Sequence, residues 1–149
     1  MISKILLFIA ISLTTFMMVL DYSIANVSLP YIAGSLAVSV DQGTYAITSF
    51  AVGSSIGIAL TAWVVKRFGE IRIFTASILL FTIFSWACGA SFNMPMLVLN
   101  RFLQGAFSGP LIPLSNTLIL RLGEPKERLR NLAIWSAIII IAPVIGPIL

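Results

Sequence analysis

Two charged side chains stand inside stretches otherwise suited only to lipid. Asp21 closes an apolar run that begins at Ile5, and Arg101 lies inside another that follows Pro95. A charge at the centre of a membrane-spanning helix costs about 2.5–3.5 kcal/mol on insertion scales, so a chain that keeps one has a partner or a use for it. Around the carboxylate the chain reads Leu20-Asp21-Tyr22-Ser23-Ile24-Ala25-Asn26-Val27-Ser28-Leu29-Pro30. Beyond Arg101, the residues Gln104, Gly105, Ser108, Gly109 and Ser115 recur at spacings near three and four, which makes one polar or small stripe on a helix. A carboxylate balanced between pairing with a cation and neutral burial is equipped to carry a proton. Asp21 and Arg101 are therefore the candidate proton-coupling pair, with Asn26, Gln104 and Ser108 as candidates for a polar path. Plainer alternatives stand beside this. Asp21 as a structural contact met by Asn26, Tyr22 or backbone is one, and Arg101 reaching outward along its stem is another.

Other chemistries lack their parts. The chain has no histidine, so no serine or threonine has the usual base to activate it. There is no carboxylate pair or metal-ligand cluster, and the single cysteine, Cys88, sits inside an apolar run and excludes an internal disulfide. No cofactor is implied.

The elements that must position these groups follow from hydropathy. Of the 149 residues 59% are hydrophobic and only 9% charged, against about 25% charged in a soluble domain. Five stretches approach the roughly 20 residues a helix needs to cross hydrocarbon: approximately 5–29, 45–65, 73–92, 96–120 and 131–149. The fold class expected is all-α and transmembrane. The net charge of +4 does not point to nucleic acid, because the basic residues sit in short loops between spans. Lys4, the loop 66–72 (Lys66, Arg67, Arg72 against Glu70) and the loop 121–130 (Arg121, Lys126, Arg128, Arg130 against Glu124, Glu127) all fall on one side. The positive-inside rule assigns that side, with the N-terminus, to the cytoplasm. Trp63 and Trp135 are expected near the cytoplasmic interface. The first apolar run exceeds a signal-peptide core, so a retained first span is expected. In this topology Asp21 lies nine residues before Pro30 and Arg101 six after Pro95, which puts both about 9–13 Å below the outer surface at 1.5 Å per residue.

Two glycine pairs, Gly53/Gly57 and Gly105/Gly109, are spaced for close helix approach, the first extended by Ser49 and Thr61. Pro110 and Pro113 interrupt the fourth span, expected nonetheless as one long helix. Ala142-Pro143-Val144-Ile145-Gly146-Pro147 predicts a kink at Pro143, Gly146 and Pro147.

These residues are familiar as a set. Leu20 to Pro30 resembles the first-helix signature of the 14-span drug:proton antiporters of the major facilitator superfamily. Arg101-Phe102-Leu103-Gln104-Gly105 is similar to the fourth-helix motif of that superfamily, whose arginine is implicated in proton coupling. Ala142 to Leu149 resembles its fifth-helix antiporter motif. Gln42-Gly43-Thr44, Ser85-Trp86-Ala87-Cys88-Gly89 and Gly109-Pro110-Leu111-Ile112-Pro113 resemble its multidrug-exporter branch. The loop between helices two and three departs from the superfamily pattern: Ala62 stands for the usual Gly and Lys66 for the usual Asp, followed by Arg67, Gly69, Glu70 and Arg72.

The resemblance implies a five-helix portion of an N-terminal bundle, from the bacterial inner membrane, exchanging protons for hydrophobic drug-like substrates. It also implies a periplasmic adaptor and an outer-membrane channel as partners. Because the chain stops at Pro147-Ile148-Leu149 without a polar cap, it is expected to be the front part of a longer transporter. A non-transporting remnant, or a small membrane scaffold whose glycine stripes serve as interfaces, are the alternatives.

Overall fold

The computed structural model describes residues 2–122 and 124–148, without the side chains of Ile2, Ser3 and Pro147. Its elements are helices: α1 (Ile2–Val27), α2 (Leu29–Ser35), α3 (Val40–Phe68), α4 (Glu70–Gly89), α5 (Met94–Ser108), α6 (Leu111–Leu120) and α7 (Pro125–Ile145), then a 3-10 turn, Gly146–Ile148. Four of them contain stretches long and apolar enough to cross a bilayer: Lys4–Val27, α3, α4 and α7.

Local chemistry sets the boundaries. Ser39 opens α3 through a reciprocal capping box with Gln42, each side-chain oxygen accepting from the other's backbone N–H at 3.2 Å. Asp41 in the first turn and Lys66 and Arg67 in the last suit the helix dipole. Asn93 caps α5 by accepting from the Met96 N–H at 2.9 Å. Between α3 and α4 a single residue turns the chain. Gly69 holds φ 88° and ψ 151°, a backbone conformation nearly reserved for glycine.

One expectation is corrected. The stretch 96–120 is not one helix: bonding breaks at Gly109-Pro110 and leaves α5 and α6, neither of which has the length of a span. Pro110 denies the Ala106 carbonyl its usual donor and Pro113 denies that of Gly109, although Gly109 itself stays helical at φ −50° and ψ −48°. The segment 30–44 contains most of α2 and the first turn of α3.

The chain forms two compact units. The first comprises 1–27 and 112–149, the second 28–111. In the first, α1 packs on α7 and the 3-10 turn. Trp135, expected at the interface, is instead 6% exposed, and its Nε1–H donates to Thr15 Oγ1 at 2.9 Å. A buried indole needs such a partner, and a buried threonine supplies it.

In the second unit α3 and α5 form the most extensive contact. The two glycine pairs meet there. The Cβ direction of Gly53 runs into the Phe102 carbonyl oxygen, that of Gly57 into Ala106 O, that of Gly105 into Phe50 O and that of Gly109 into Ser54 O. Backbone therefore lies on backbone, in the geometry that favours weak Cα–H···O contacts. The Ala106 carbonyl that Pro110 orphans is one of those covered. Phe84 of α4 stacks on Phe107 of α5 with ring centroids 5.7 Å apart. At the other end Ala46, Met94 and Leu97 form an apolar cluster beneath Ile32, Leu36 and Val38.

The distribution of side chains is inverted relative to a water-soluble domain. Leu6, Leu13, Ile71, Leu79 and Ile140 are exposed while Thr15, Gln104, Ser108 and Ser115 are buried. Helices with satisfied backbones and an apolar exterior are what hydrocarbon accepts.

Candidate functional site

From Asn100 onward the buried side chains of α5 are polar. Asn100, Gln104 and Ser108 are all buried at a four-residue spacing, and Gln104 has no exposed surface. Arg101 is half-buried beside them and donates from Nη1 to Gln104 Oε1 at 2.9 Å. The same oxygen faces the Cys88 thiol of α4 at 3.6 Å. The Asn100 amide donates to Ala87 O and to Ser91 Oγ, both at 3.1 Å. Ser108 closes on its own helix, to Gly105 O at 2.7 Å. The guanidinium is thus held by a charge-assisted bond to a neutral amide. Arg101 also lines an open cleft of about 320 Å³ with Ile32 and Ser35 of α2 and with Ser85, Cys88 and Ser91.

Asp21 belongs to the first unit. It is half-buried on α1, and the turn after it carries two polar contacts. Asn26 is exposed and donates from Nδ2 to Tyr22 O at 2.8 Å. Ser23 Oγ donates to the Pro143 carbonyl of α7 at 3.2 Å. In a regular helix that carbonyl would accept from the N–H of residue 147, which is a proline and has none. A hydroxyl of α1 therefore supplies the bond that the kink motif removes from α7. Gly146 is buried with its Cβ direction aimed at Ser23 Oγ, so any side chain there would displace the serine. Pro147 lies in the 3-10 turn, its side chain outside the described residues.

The cytoplasmic-loop candidates lie at the α3–α4 turn. Lys66, Arg67, Gly69 and Arg72 are exposed, and Glu70 sits in the first turn of α4. Arg67 places its guanidinium 5.9 Å from the Trp63 ring centroid and 5.7 Å from that of Phe68, a cation–π arrangement within its own helix end.

The sequence reading passed over Asn100, whose four-residue spacing from Gln104 was a usable signal. It also passed over Cys88 as a polar neighbour and over Ser23, whose role depends on a proline 124 positions later.

The family model described as Major Facilitator Superfamily matches residues 11–149. The chain belongs to the Major Facilitator Superfamily. It is 51% identical over 145 residues to the multidrug export protein EmrB of Haemophilus influenzae, covering 97% of this chain and 28% of that protein. It is 52% identical over 141 residues to EmrB of Escherichia coli K12, covering 95% and 28%. The fatty acid resistance protein FarB of Neisseria gonorrhoeae is 46% identical over 141 residues, again 95% and 28%. The chain thus spans about 28% of the length of the curated relatives it matches. Membership in this superfamily and four span-length apolar helices make it a multi-pass membrane protein.

Proposed function

We propose that the chain is the N-terminal part of a proton-coupled multidrug exporter. It would lie in the bacterial inner membrane with its N-terminus and the basic loops on the cytoplasmic side. The observation that carries this reading is Arg101, a cation on α5 that donates to fully buried Gln104 and lines a cleft. Asp21 is the proton carrier in this proposal, with Arg101 as the charge that stabilises its ionised form from the same depth. Protonation weakens that pairing and favours one access state; release of the proton to the cytoplasm favours the other and admits the drug. Gln104, Ser108 and Asn26 contribute polar groups to the path. Pro143, Gly146 and Pro147 supply the bend at which α7 responds. The loop residues Lys66, Arg67, Gly69, Glu70 and Arg72 hold the α3–α4 turn. The opposing bundle, a periplasmic adaptor and an outer-membrane channel complete the machine.

The scaffold alternative fares poorly against the packing. It needs Gly53/Gly57 and Gly105/Gly109 as surfaces for other chains, and these pairs are already closed on each other.

The test is Asp21→Asn in a complete transporter carrying this sequence. The expected result is loss of proton-driven export and of drug resistance, with membrane insertion unchanged. Wild-type resistance from the variant would remove Asp21 from the coupling role.

A further inference from the structure

A second cleft, of about 260 Å³, lies within the first unit. Lys4, Ile5 and Phe8 line it from the start of α1, Leu122 from the α6–α7 connection, and Glu127, Arg130 and Asn131 from the start of α7. The span-forming stretch of α1 begins at Lys4 and that of α7 at Pro125, so the cleft sits where two spans leave the hydrocarbon at the same membrane face. None of the groups assigned to transport lines it.

Its walls divide by chemistry. Lys4 and Arg130 offer two cations and Asn131 an amide donor, while Ile5, Phe8 and Leu122 offer apolar surface. Glu127 is the carboxylate of the set, and one of its oxygens accepts the Glu124 N–H at 3.2 Å in the helix cap. The surrounding segment 121–130 carries Arg121, Lys126, Arg128 and Arg130 against Glu124 and Glu127, so the local field is positive. Two cations above an apolar notch at the hydrocarbon boundary match a phosphate ester that carries its own acyl chains. A free phosphate would meet the cations and leave the apolar wall unused.

We propose that this cleft is a binding site for the headgroup of an anionic glycerophospholipid, with Lys4 and Arg130 on the phosphate and an acyl chain along Ile5 and Phe8. The site requires only that the chain be inserted in a membrane, and it stands or falls separately from proton coupling at Asp21.

The chain is reconstituted in phosphatidylcholine nanodiscs carrying spin-labelled phosphatidylglycerol, and the motionally restricted lipid is compared with spin-labelled phosphatidylcholine. Lys4→Gln with Arg130→Gln is expected to lower the preference for phosphatidylglycerol about thirtyfold, from the usual contribution of one basic residue near an anionic surface taken twice. Lys4→Arg with Arg130→Lys is expected to keep it, which separates charge from folding. Lys66→Gln with Arg72→Gln, outside the cleft, is expected to leave it unchanged. An equal loss from both Gln pairs would mean diffuse attraction and overturn the site, as would an unchanged preference in the cleft pair. Inorganic phosphate is expected not to displace the lipid; displacement would assign the cleft to a soluble anion and overturn the proposal.

Discussion

Replacing Gly105 by alanine adds one methyl group to a place where backbone already stands. The new Cβ would run into Phe50 O and lie 2.9 Å from the Phe50 carbonyl carbon and 3.0 Å from its Cα. None of these atoms can rotate away. Restoring ordinary carbon contacts of about 3.5–4.0 Å requires α3 and α5 to part by on the order of 1 Å, which loosens the contacts at Gly53, Gly57 and Gly109 as well. Overpacking of this kind costs about 1–3 kcal/mol, while alanine regains about 0.8–1.0 kcal/mol of helix propensity. The net expectation is destabilisation by up to about 2 kcal/mol. Gly34→Ala is the matched control: it lies in α2 with nothing within 4 Å of the added carbon, so it should be neutral or stabilising by up to about 1 kcal/mol. The two substitutions differ in sign although the chemical change is identical. SDS-titrated unfolding in mixed micelles, followed by tryptophan fluorescence, measures both. The double variant Gly53→Ala/Gly105→Ala should lose less than the sum of its parts, because one methyl has already opened the seam for the other. A Gly105→Ala midpoint at or above wild type would refute the backbone-to-backbone account of this interface.

Two further outcomes follow from the local geometry. Gly69→Ala should cost about 1–3 kcal/mol in the same unfolding measurement through backbone strain alone, since nothing lies within 4 Å of its added carbon; Gly69→Asn should not rescue it, because ψ 151° lies outside the left-handed helical region that asparagine tolerates. A double-mutant cycle of Trp135→Phe and Thr15→Val should return a coupling of about 0.6 kcal/mol and at most about 1.7, the range measured for hydrogen bonds between membrane helices; additivity would mean that the 2.9 Å bond contributes nothing net.

Hydropathy made the helical, membrane-spanning character of the chain legible, because hydrocarbon imposes one solution on the backbone. The polar stripe on α5 was legible for a related reason: Gln104 and Ser108 recur at helical spacing, and lipid leaves such residues only the inside to face. What stayed hidden depends on partners distant in sequence. Each glycine pair was readable as a close-packing surface, but that the pairs close on one another depends on which helices become neighbours. Trp135 looked like an interfacial indole from its distance to the basic loop, and only the presence of Thr15 across α1 explains its burial. The break at Gly109-Pro110 was visible as two prolines, yet whether they bend a helix or divide it depends on what covers the freed carbonyls. The chain answers this for Ala106, whose oxygen lies against Gly57.

The Ser23–Pro143 bond makes two helices share one defect. The hydroxyl that completes α7 sits only two positions after Asp21, less than one turn of α1 away. Rotating that turn would withdraw the donor from the bent segment and return an unsatisfied oxygen to it. The straightness of the later helix is in this way answerable to the azimuth of the earlier one, and the linkage runs through a hydroxyl hydrogen, without any formal charge.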